Sequence, residues 1–263
     1  ETNNIYDRIM CGSDQIWNKY NPFYYLRFVN DNKFKASYAP SFGRSKVSDY
    51  KSKRKKALER FDLISVREEQ GKEIIKDLIG NDKEISIVSD PTLLLEKEEW
   101  KEISSPRFID GEYIICYLLG DREENKRYCY DIAKKLNKSI FFIPVIYKQH
   151  DESDYIKDDI GPSEFLSLLR NASFICTDSF HGLIFSLLFE KNFVCLKRFE
   201  DKDKISQNSR IYSLAKELEI TDMILNSEEQ MNEILKRKLN YKEINNRINN
   251  YKSKLHRENF SKV

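Results

Sequence analysis

The residues best suited to chemistry lie in the second half of the chain, directly after an apolar predicted strand. Residues 177–182 read TDSFHG and precede an apolar predicted helix. Asp178 or Ser179 can cap that helix, and the N–H groups and dipole at a helix start favour an anion. His181 adds a titratable group to the same turn. The segment predicts an anion site with an acid–base group; the alternative is a capped helix that carries a polar histidine.

A second candidate is an arginine at the end of another predicted strand. Arg67 follows the apolar residues 63–66 and precedes a predicted helix. Its planar guanidinium would suit a carboxylate or a phosphate, because both accept two parallel N–H bonds. The alternative is a surface arginine paired with Glu68 or Glu69.

Two further turns follow predicted strands. Gly12, Ser13 and Asp14 offer backbone donors and a carboxylate, although many α/β turns have this composition. The Asp-Pro-Thr sequence at residues 90–92 is more typical of a turn or a helix cap. The sequence contains no GxGxxG, GxxxxGK[ST] or HExxH motif, and the Ser, His and Asp of TDSFHG are too local for a hydrolase triad.

Composition narrows the class of protein. The chain has 263 residues, with 45 Lys and Arg against 43 Asp and Glu, so its net charge of +2 gives no reason to expect nucleic acid as a partner. The five cysteines are widely spaced without a CxxC, which predicts reduced thiols, no metal cage and a cytoplasmic location. Cys116, Cys176 and Cys195 lie in apolar runs, which predicts burial. The longest apolar runs are far shorter than the ~18 residues of a membrane span.

Strands alternate with helices along the sequence, which predicts a mostly parallel α/β fold. The polar segment 95–111 lacks periodicity and predicts a junction between domains at residues 1–100 and 101–263. Ligands of such folds bind beyond the carboxyl ends of the strands. The predicted strands are residues 6–11, 35–41, 63–66, 85–88, 113–119, 140–146, 174–176 and 193–197, and the predicted helices are 48–61, 68–79, 124–136, 163–170 and 180–189.

The C-terminal part of the chain predicts one long helix over residues 228–258. Apolar residues recur at 4-3-4 spacing at Ile244, Ile248, Tyr251 and Leu255, whereas residues 236–257 carry eight Lys or Arg against one Glu. This pattern predicts a docking helix with a solvated basic face. The alternative is contact with an anionic membrane surface or an acidic partner.

Several blocks in fixed order carry a family resemblance. They are GSDQIWN (12–18), SYAPSFG (37–43), ISVRE (64–68), SDPTLLL (89–95), NASF (171–174), TDSFHG (177–182) and SRI (209–211). In these blocks the chain resembles the polysaccharide pyruvyl transferase family from about residue 5 to residue 225. Members of that family usually open with a further strand, a glycine-containing loop and a helix. The chain begins with Glu1, so we expect an upstream segment to be missing and the first domain to be incomplete.

The resemblance implies two Rossmann-like domains that face a cleft, similar to glycosyltransferases of the GT-B type. It also implies transfer of a pyruvyl unit from phosphoenolpyruvate to a sugar of a cell-surface or exopolysaccharide, forming a ketal. The donor is a substrate, so no cofactor and no metal are implied, and the acceptor would be a sugar or a lipid-linked saccharide. The catalytic candidates are His181 and Arg67, and the substrate-binding candidates are Gly12, Ser13, Asp14, Glu68, Asp178, Ser179 and Arg210.

Two other functions stay open from the sequence. A nucleotide-sugar glycosyltransferase would use the helix start at Ser179 to hold a diphosphate. An inactive, shortened member would act as a binding partner instead of an enzyme. We expect a cytoplasmic location; contact of the basic C-terminal helix with the inner face of the membrane is the alternative to its docking against the protein.

Overall fold

The computed structural model describes residues 2–44, 46–145, 156, 159–200 and 208–256. The chain divides into two compact units. The first comprises the residues up to Leu94 and those from Ile248 onwards, and the second runs from Leu95 to Arg247. The domain limits at residues 1–100 and 101–263 stay predictions from the sequence.

The first unit is built on a four-stranded parallel sheet in the order β1-β2-β3-β4. Neighbouring strands end at the same level: the last residue of β1, Asp14, pairs with the last residue of β2, Pro40, and the ends of β3 and β4, Val66 and Ile87, are also paired. The elements are α1 (Thr2–Ile5), β1 (Arg8–Asp14), β2 (Phe34–Pro40), α2 (Lys51–Leu58), β3 (Leu63–Val66), α3 (Glu69–Ile79), β4 (Ile85–Ile87) and a 3-10 turn (Pro91–Leu93).

The second unit holds a separate parallel sheet in the order β6-β5-β7-β8. Strand order reverses between β5 and β7, which is where open α/β sheets bind ligands. The elements are α4 (Lys97–Glu102), β5 (Tyr113–Tyr117), α5 (Glu123–Leu136), β6 (Ser139–Phe142), α6 (Pro162–Asn171), β7 (Phe174–Thr177), α7 (Phe180–Leu188), β8 (Asn192–Cys195), α8 (Ser209–Glu217), 3-10 turns (Thr221–Met223 and Glu228–Gln230) and α9 (Met231–Lys236). The last helix, α10 (Tyr241–His256), runs from the second unit into the first.

The predicted fold class is confirmed: two parallel four-stranded sheets with flanking helices give a Rossmann-like, GT-B-like α/β architecture. Three local predictions need correction. The segment 95–111 contains α4, which starts with a capping box between Glu96 and Glu99. The helix α8 has no counterpart in the predicted elements. The strand β1 continues through Gly12, Ser13 and Asp14, where the sequence predicts a turn.

The C-terminal helix is interrupted. Residues 231–236 and 241–256 are helical, and Arg237 between them has an extended backbone. Asn240 accepts a hydrogen bond from the N–H of Glu243, so an N-cap residue starts a new helix where the sequence predicted a continuous one. Ile244 and Ile248 are buried as the spacing predicted. The side chain of Leu255 and residues 257 and 258 lie outside the described part.

The core of the first unit holds the chain immediately after β1. Trp17 is fully buried, stacks on Tyr25 with ring centroids 5.3 Å apart, and meets Phe61 edge-on. Arg54 has no exposed surface and donates to the carbonyl of Trp17 at 2.9 Å. These contacts fix the course of the segment that leaves the carboxyl end of β1.

The helix α7 is the central helix of the second unit. Eight of its nine residues are buried, all except His181. Such an all-round apolar helix must be enclosed by other elements, because it has no polar face to present to water. Among the described helices, none is both long and apolar enough to cross a membrane.

The burial of the cysteines predicts slow thiol chemistry. All five are free and buried. Burial raises the pKa of Cys11 to about 12, and Cys116, Cys129 and Cys176 have no exposed surface through which a reagent could reach them. Because the thiolate is the reactive form, we expect the folded protein to react with Ellman's reagent far more slowly than the protein in guanidinium chloride, where all five cysteines should react. Rapid labelling of any thiol in the folded state would contradict this burial.

Candidate active site

The start of α7 is organised by two hydroxyl groups. Ser179 is the N-cap, and its Oγ accepts a hydrogen bond from the N–H of Gly182 at 3.3 Å. Thr177 Oγ1 accepts from the N–H of Ser179 at 3.1 Å and donates to the carbonyl of Tyr117 at 2.7 Å. A Cβ on Gly182 would lie 2.2 Å from Thr177 Oγ1, so glycine allows α7 to pack directly against the end of β7. Of the two predicted caps, Asp178 and Ser179, the structure has Ser179.

Two predicted site residues contact the ring of Phe180. His181 is partly exposed in the first turn of α7, and its ring meets the Phe180 ring edge-on at 5.7 Å. The guanidinium of Arg210, from the first turn of α8, lies over the same ring at 5.8 Å and is 7% exposed. The side chains of His181 and Arg210, which are 29 positions apart in the sequence, therefore both lie at the start of α7.

Asp178 connects two strand ends. Its carboxylate accepts the backbone N–H of Leu119 at 2.7 Å and of Gly120 at 2.9 Å, both in the loop after β5. Burial raises the pKa of Asp178, against the opposing effect of these donors and of Arg198. The carboxylate is thus engaged in holding the loop, which is the role of a positioning residue.

Arg198 is a cation that the sequence analysis did not select. The strands β5, β7 and β8 end in register at Tyr117, Thr177 and Cys195, and Arg198 follows three residues later. Its Nη2 donates to the carbonyl of Asp178 at 3.4 Å. A signal in the sequence could have identified Arg198: it is a basic residue directly after the predicted strand 193–197, whose end lies at the same sheet edge as TDSFHG.

In the first unit, Arg67 is buried among carboxylates. Its Nε lies 3.0 Å from Glu68 Oε1, its Nη2 lies 3.3 Å from Asp14 Oδ1, and its Nη1 donates to Asp90. Burial opposes the charge, but the neighbouring carboxylates of Glu68 and Asp90 raise the pKa of Arg67. The residue is 3% exposed, so the alternative of a surface arginine is wrong, although its pairing with Glu68 is confirmed.

The other first-unit candidates belong to the same strand ends. Gly12 and Ser13 precede Asp14 in β1. A Cβ on Gly12 would lie 2.0 Å from the carbonyl oxygen of Tyr38, so the glycine allows β1 and β2 to approach closely. Asp90 caps the 3-10 turn by accepting from the N–H of Thr92 at 3.0 Å, which confirms the prediction of a turn there.

Among the described residues, one cluster has ligand types that suit a metal. The Sγ atoms of Cys116, Cys129 and Cys176 lie within 4.8 Å of one another, in the buried core. Structural zinc sites take four protein ligands, and this cluster provides three. The pairing of Cys116 with Cys176 in adjacent strands accounts for their proximity, and we assign the three thiols to packing.

These features define a class of protein: a parallel α/β protein whose second sheet has polar and basic side chains at its carboxyl edge. The comparison with known families is more specific. The family model described as polysaccharide pyruvyl transferase matches residues 3–198, and the chain belongs to that transferase family. The match includes TDSFHG and ends at Arg198, so Arg210 lies beyond it. No curated protein matches the chain.

The pairing of Arg67 predicts a large effect on stability. In the Arg67→Met variant, the carboxylates of Glu68 and Asp90 lose their cation in a buried position, which should lower the free energy of unfolding by about 3–5 kcal/mol. Urea unfolding followed by circular dichroism measures the change. The matched control is Arg27→Met, since Arg27 is exposed in the same unit. Equal stability of the two variants would contradict a structural role for Arg67.

Proposed function

We propose that this protein transfers a pyruvyl unit from phosphoenolpyruvate to a saccharide, and that the start of α7 binds the donor. The observation that carries the proposal is that His181 and Arg210 both contact the ring of Phe180 at a capped helix N-terminus. Membership of the pyruvyl transferase family supports the reaction and implies a saccharide acceptor.

The chemistry of the donor fits these groups. Phosphoenolpyruvate carries a phosphate and a carboxylate, so its site needs convergent cations and N–H donors. Formation of the ketal requires a proton on the terminal enol carbon, attack of a sugar hydroxyl on the adjacent carbon, and departure of inorganic phosphate. A second hydroxyl of the same saccharide completes the ketal. His181 would act as the general acid or as a ligand of the departing phosphate.

The candidate residues then have different roles. Ser179 caps the anion-binding helix, and Arg210 supplies a positive charge beside it. Asp178 positions the loop after β5 without contacting the donor. Because the N–H groups of Arg67 face carboxylates, we propose that Arg67, with its partners Asp14 and Glu68, shapes the strand ends of the first unit.

The reaction would take place in the cytoplasm, in agreement with five free thiols. The saccharide would belong to a cell-surface or exopolysaccharide and could be lipid-linked. The basic residues of α10 would then favour contact with the inner face of the membrane.

The test is the release of inorganic phosphate from phosphoenolpyruvate across a panel of saccharide acceptors, with the ketal identified by mass spectrometry. Thermal stabilisation of the protein adds a measure of binding. We expect a rise in Tm with phosphoenolpyruvate and none with nucleotide sugars. Stabilisation by nucleotide sugars alone would favour a glycosyltransferase, and neither binding nor turnover would favour a non-catalytic partner.

Replacement of His181 tests its role directly. We expect His181→Ala to lower the rate of pyruvyl transfer by ~10²–10⁴, the usual effect of losing an acid–base group. The fold should be kept, because the side chain is partly exposed and contributes little packing. Steady-state kinetics and circular dichroism are the measurements, with Lys134→Ala on the exposed face of α5 as the control.

A second variant separates the two possible roles of His181. Asparagine can donate a hydrogen bond to phosphate but cannot release a proton at neutral pH. If His181→Asn restores most of the activity, the histidine is a phosphate ligand. Full activity of His181→Ala would remove His181 from the mechanism altogether.

A further inference from the structure

We infer that Arg198 binds the carboxylate of the donor, at a subsite between the ends of β5, β7 and β8. The inference rests on the proposed function and extends it, since it separates the recognition of the carboxylate from that of the phosphate. Arg198 lies outside every group of residues that the sequence motifs selected. Three observations carry the inference. The guanidinium of Arg198 is incompletely paired, its neighbours confine it to one position, and it lies close to the start of α7.

The guanidinium of Arg198 is enclosed but incompletely paired. Its side chain is 16% exposed, and its Nε is buried without a hydrogen-bond partner. The carboxylate of Asp178 is 3.8 Å from this Nε, beyond hydrogen-bond distance, and both of its oxygens already accept backbone N–H groups. A buried donor left without a partner is costly, so an arginine in this state is suited to an incoming anion.

Arg67 provides the contrast within the same chain. All three of its donor nitrogens have a carboxylate partner, at Glu68, Asp14 and Asp90. A ligand anion would have to displace one of these carboxylates to reach Arg67. At Arg198 a ligand anion would not have to displace a carboxylate, and it would accept hydrogen bonds for which the protein provides no acceptor.

The position of Arg198 is enforced by its neighbours. A Cβ on Gly120 would lie 2.8 Å from Arg198 Cγ and 3.0 Å from Asp178 Oδ2, so the arginine stem passes directly over the backbone of the loop after β5. The guanidinium also lies 5.8 Å from the ring centroid of Phe199. The side chain is therefore confined between a glycine backbone, an aromatic ring and a carboxylate.

This confined arginine lies beside the proposed phosphate site. Its Nη2 contacts the carbonyl of Asp178, the residue before the N-cap Ser179. Asn208, directly before α8, donates to the carbonyl of Phe199 at 2.7 Å and so joins the start of the helix that carries Arg210 to the residue after Arg198. A donor molecule with two anionic groups would then place one of them at the start of α7 and the other at Arg198.

The guanidinium plane favours a carboxylate at this subsite. A carboxylate is planar and accepts two parallel N–H bonds from arginine. Phosphate is better matched to the positive end of the α7 dipole and to His181. The carboxylate on Arg198 and the phosphate at α7 would orient the enol carbons between them.

The experiment compares two non-reacting ligands that differ in the carboxylate. Phosphoglycolate carries a phosphate and a carboxylate, whereas ethyl phosphate carries the phosphate alone. Calorimetry on the full chain should show tighter binding of phosphoglycolate to the unchanged protein. In Arg198→Gln we expect its affinity to fall about 10- to 100-fold, as for a lost charge-assisted hydrogen bond, with the affinity for ethyl phosphate nearly unchanged. Arg198→Lys should recover only part of the loss, because lysine cannot form two parallel bonds.

The controls separate this inference from the proposed function. Arg127→Gln removes the same charge from an exposed position in the same unit and should leave both affinities unchanged. Equal losses for both ligands in Arg198→Gln, or no loss for phosphoglycolate, would overturn the assignment. If the unchanged protein turns over phosphoenolpyruvate and Arg198→Gln keeps its KM, only the Arg198 assignment fails. If the unchanged protein binds neither phosphoenolpyruvate nor phosphoglycolate, the proposed function fails as well.

Discussion

The hydrogen bonds from Leu119 and Gly120 to the carboxylate of Asp178 are the interaction on which the arrangement of the candidate site depends. A buried carboxylate must be satisfied by donors, and these two N–H groups come from a different strand end. The loop after β5 is thereby held against the end of β7. Because Ser179 follows Asp178 directly, the same interaction sets the point at which α7 begins. Arg198 then occupies the space beside the backbone of Gly120.

Two arginines of this chain, Arg67 and the partly buried Arg198, differ in how their guanidinium groups are paired. Arg67 and Arg198 both follow strands at the carboxyl edge of a parallel sheet, where ligands bind. Arg67 is surrounded by carboxylates from three parts of its unit, which compensate the cost of burying it. Arg198 has one carboxylate at longer range and a buried Nε without a hydrogen-bond partner. The first arrangement stabilises a fold, and the second is suited to binding.

Much of the fold could be predicted because inner strands such as β3, β5 and β7 are buried on both faces and therefore appear as short apolar runs. Predicted strand 63–66 coincides with β3, and predicted helix 68–79 differs from α3 by one residue. The elements that were missed have weaker local signals. The helix α4 has six residues, none of them buried, and so lacks an apolar stripe. The break before α10 depends on one capping asparagine within an otherwise helical pattern.

The sequence by itself determined the alternation of strands and helices, the family, and the capped helix start that carries His181, because each depends on neighbouring residues. Only the tertiary structure decided which charges are neutralised inside the protein. Arg67 meets Asp14 and Asp90, which are 53 and 23 positions away, and Asp178 meets a loop about 59 positions before it. Parallel strands bring such distant residues to one edge of a sheet, and their side-chain pairing there depends on strand order and register. Local sequence patterns do not specify either of these.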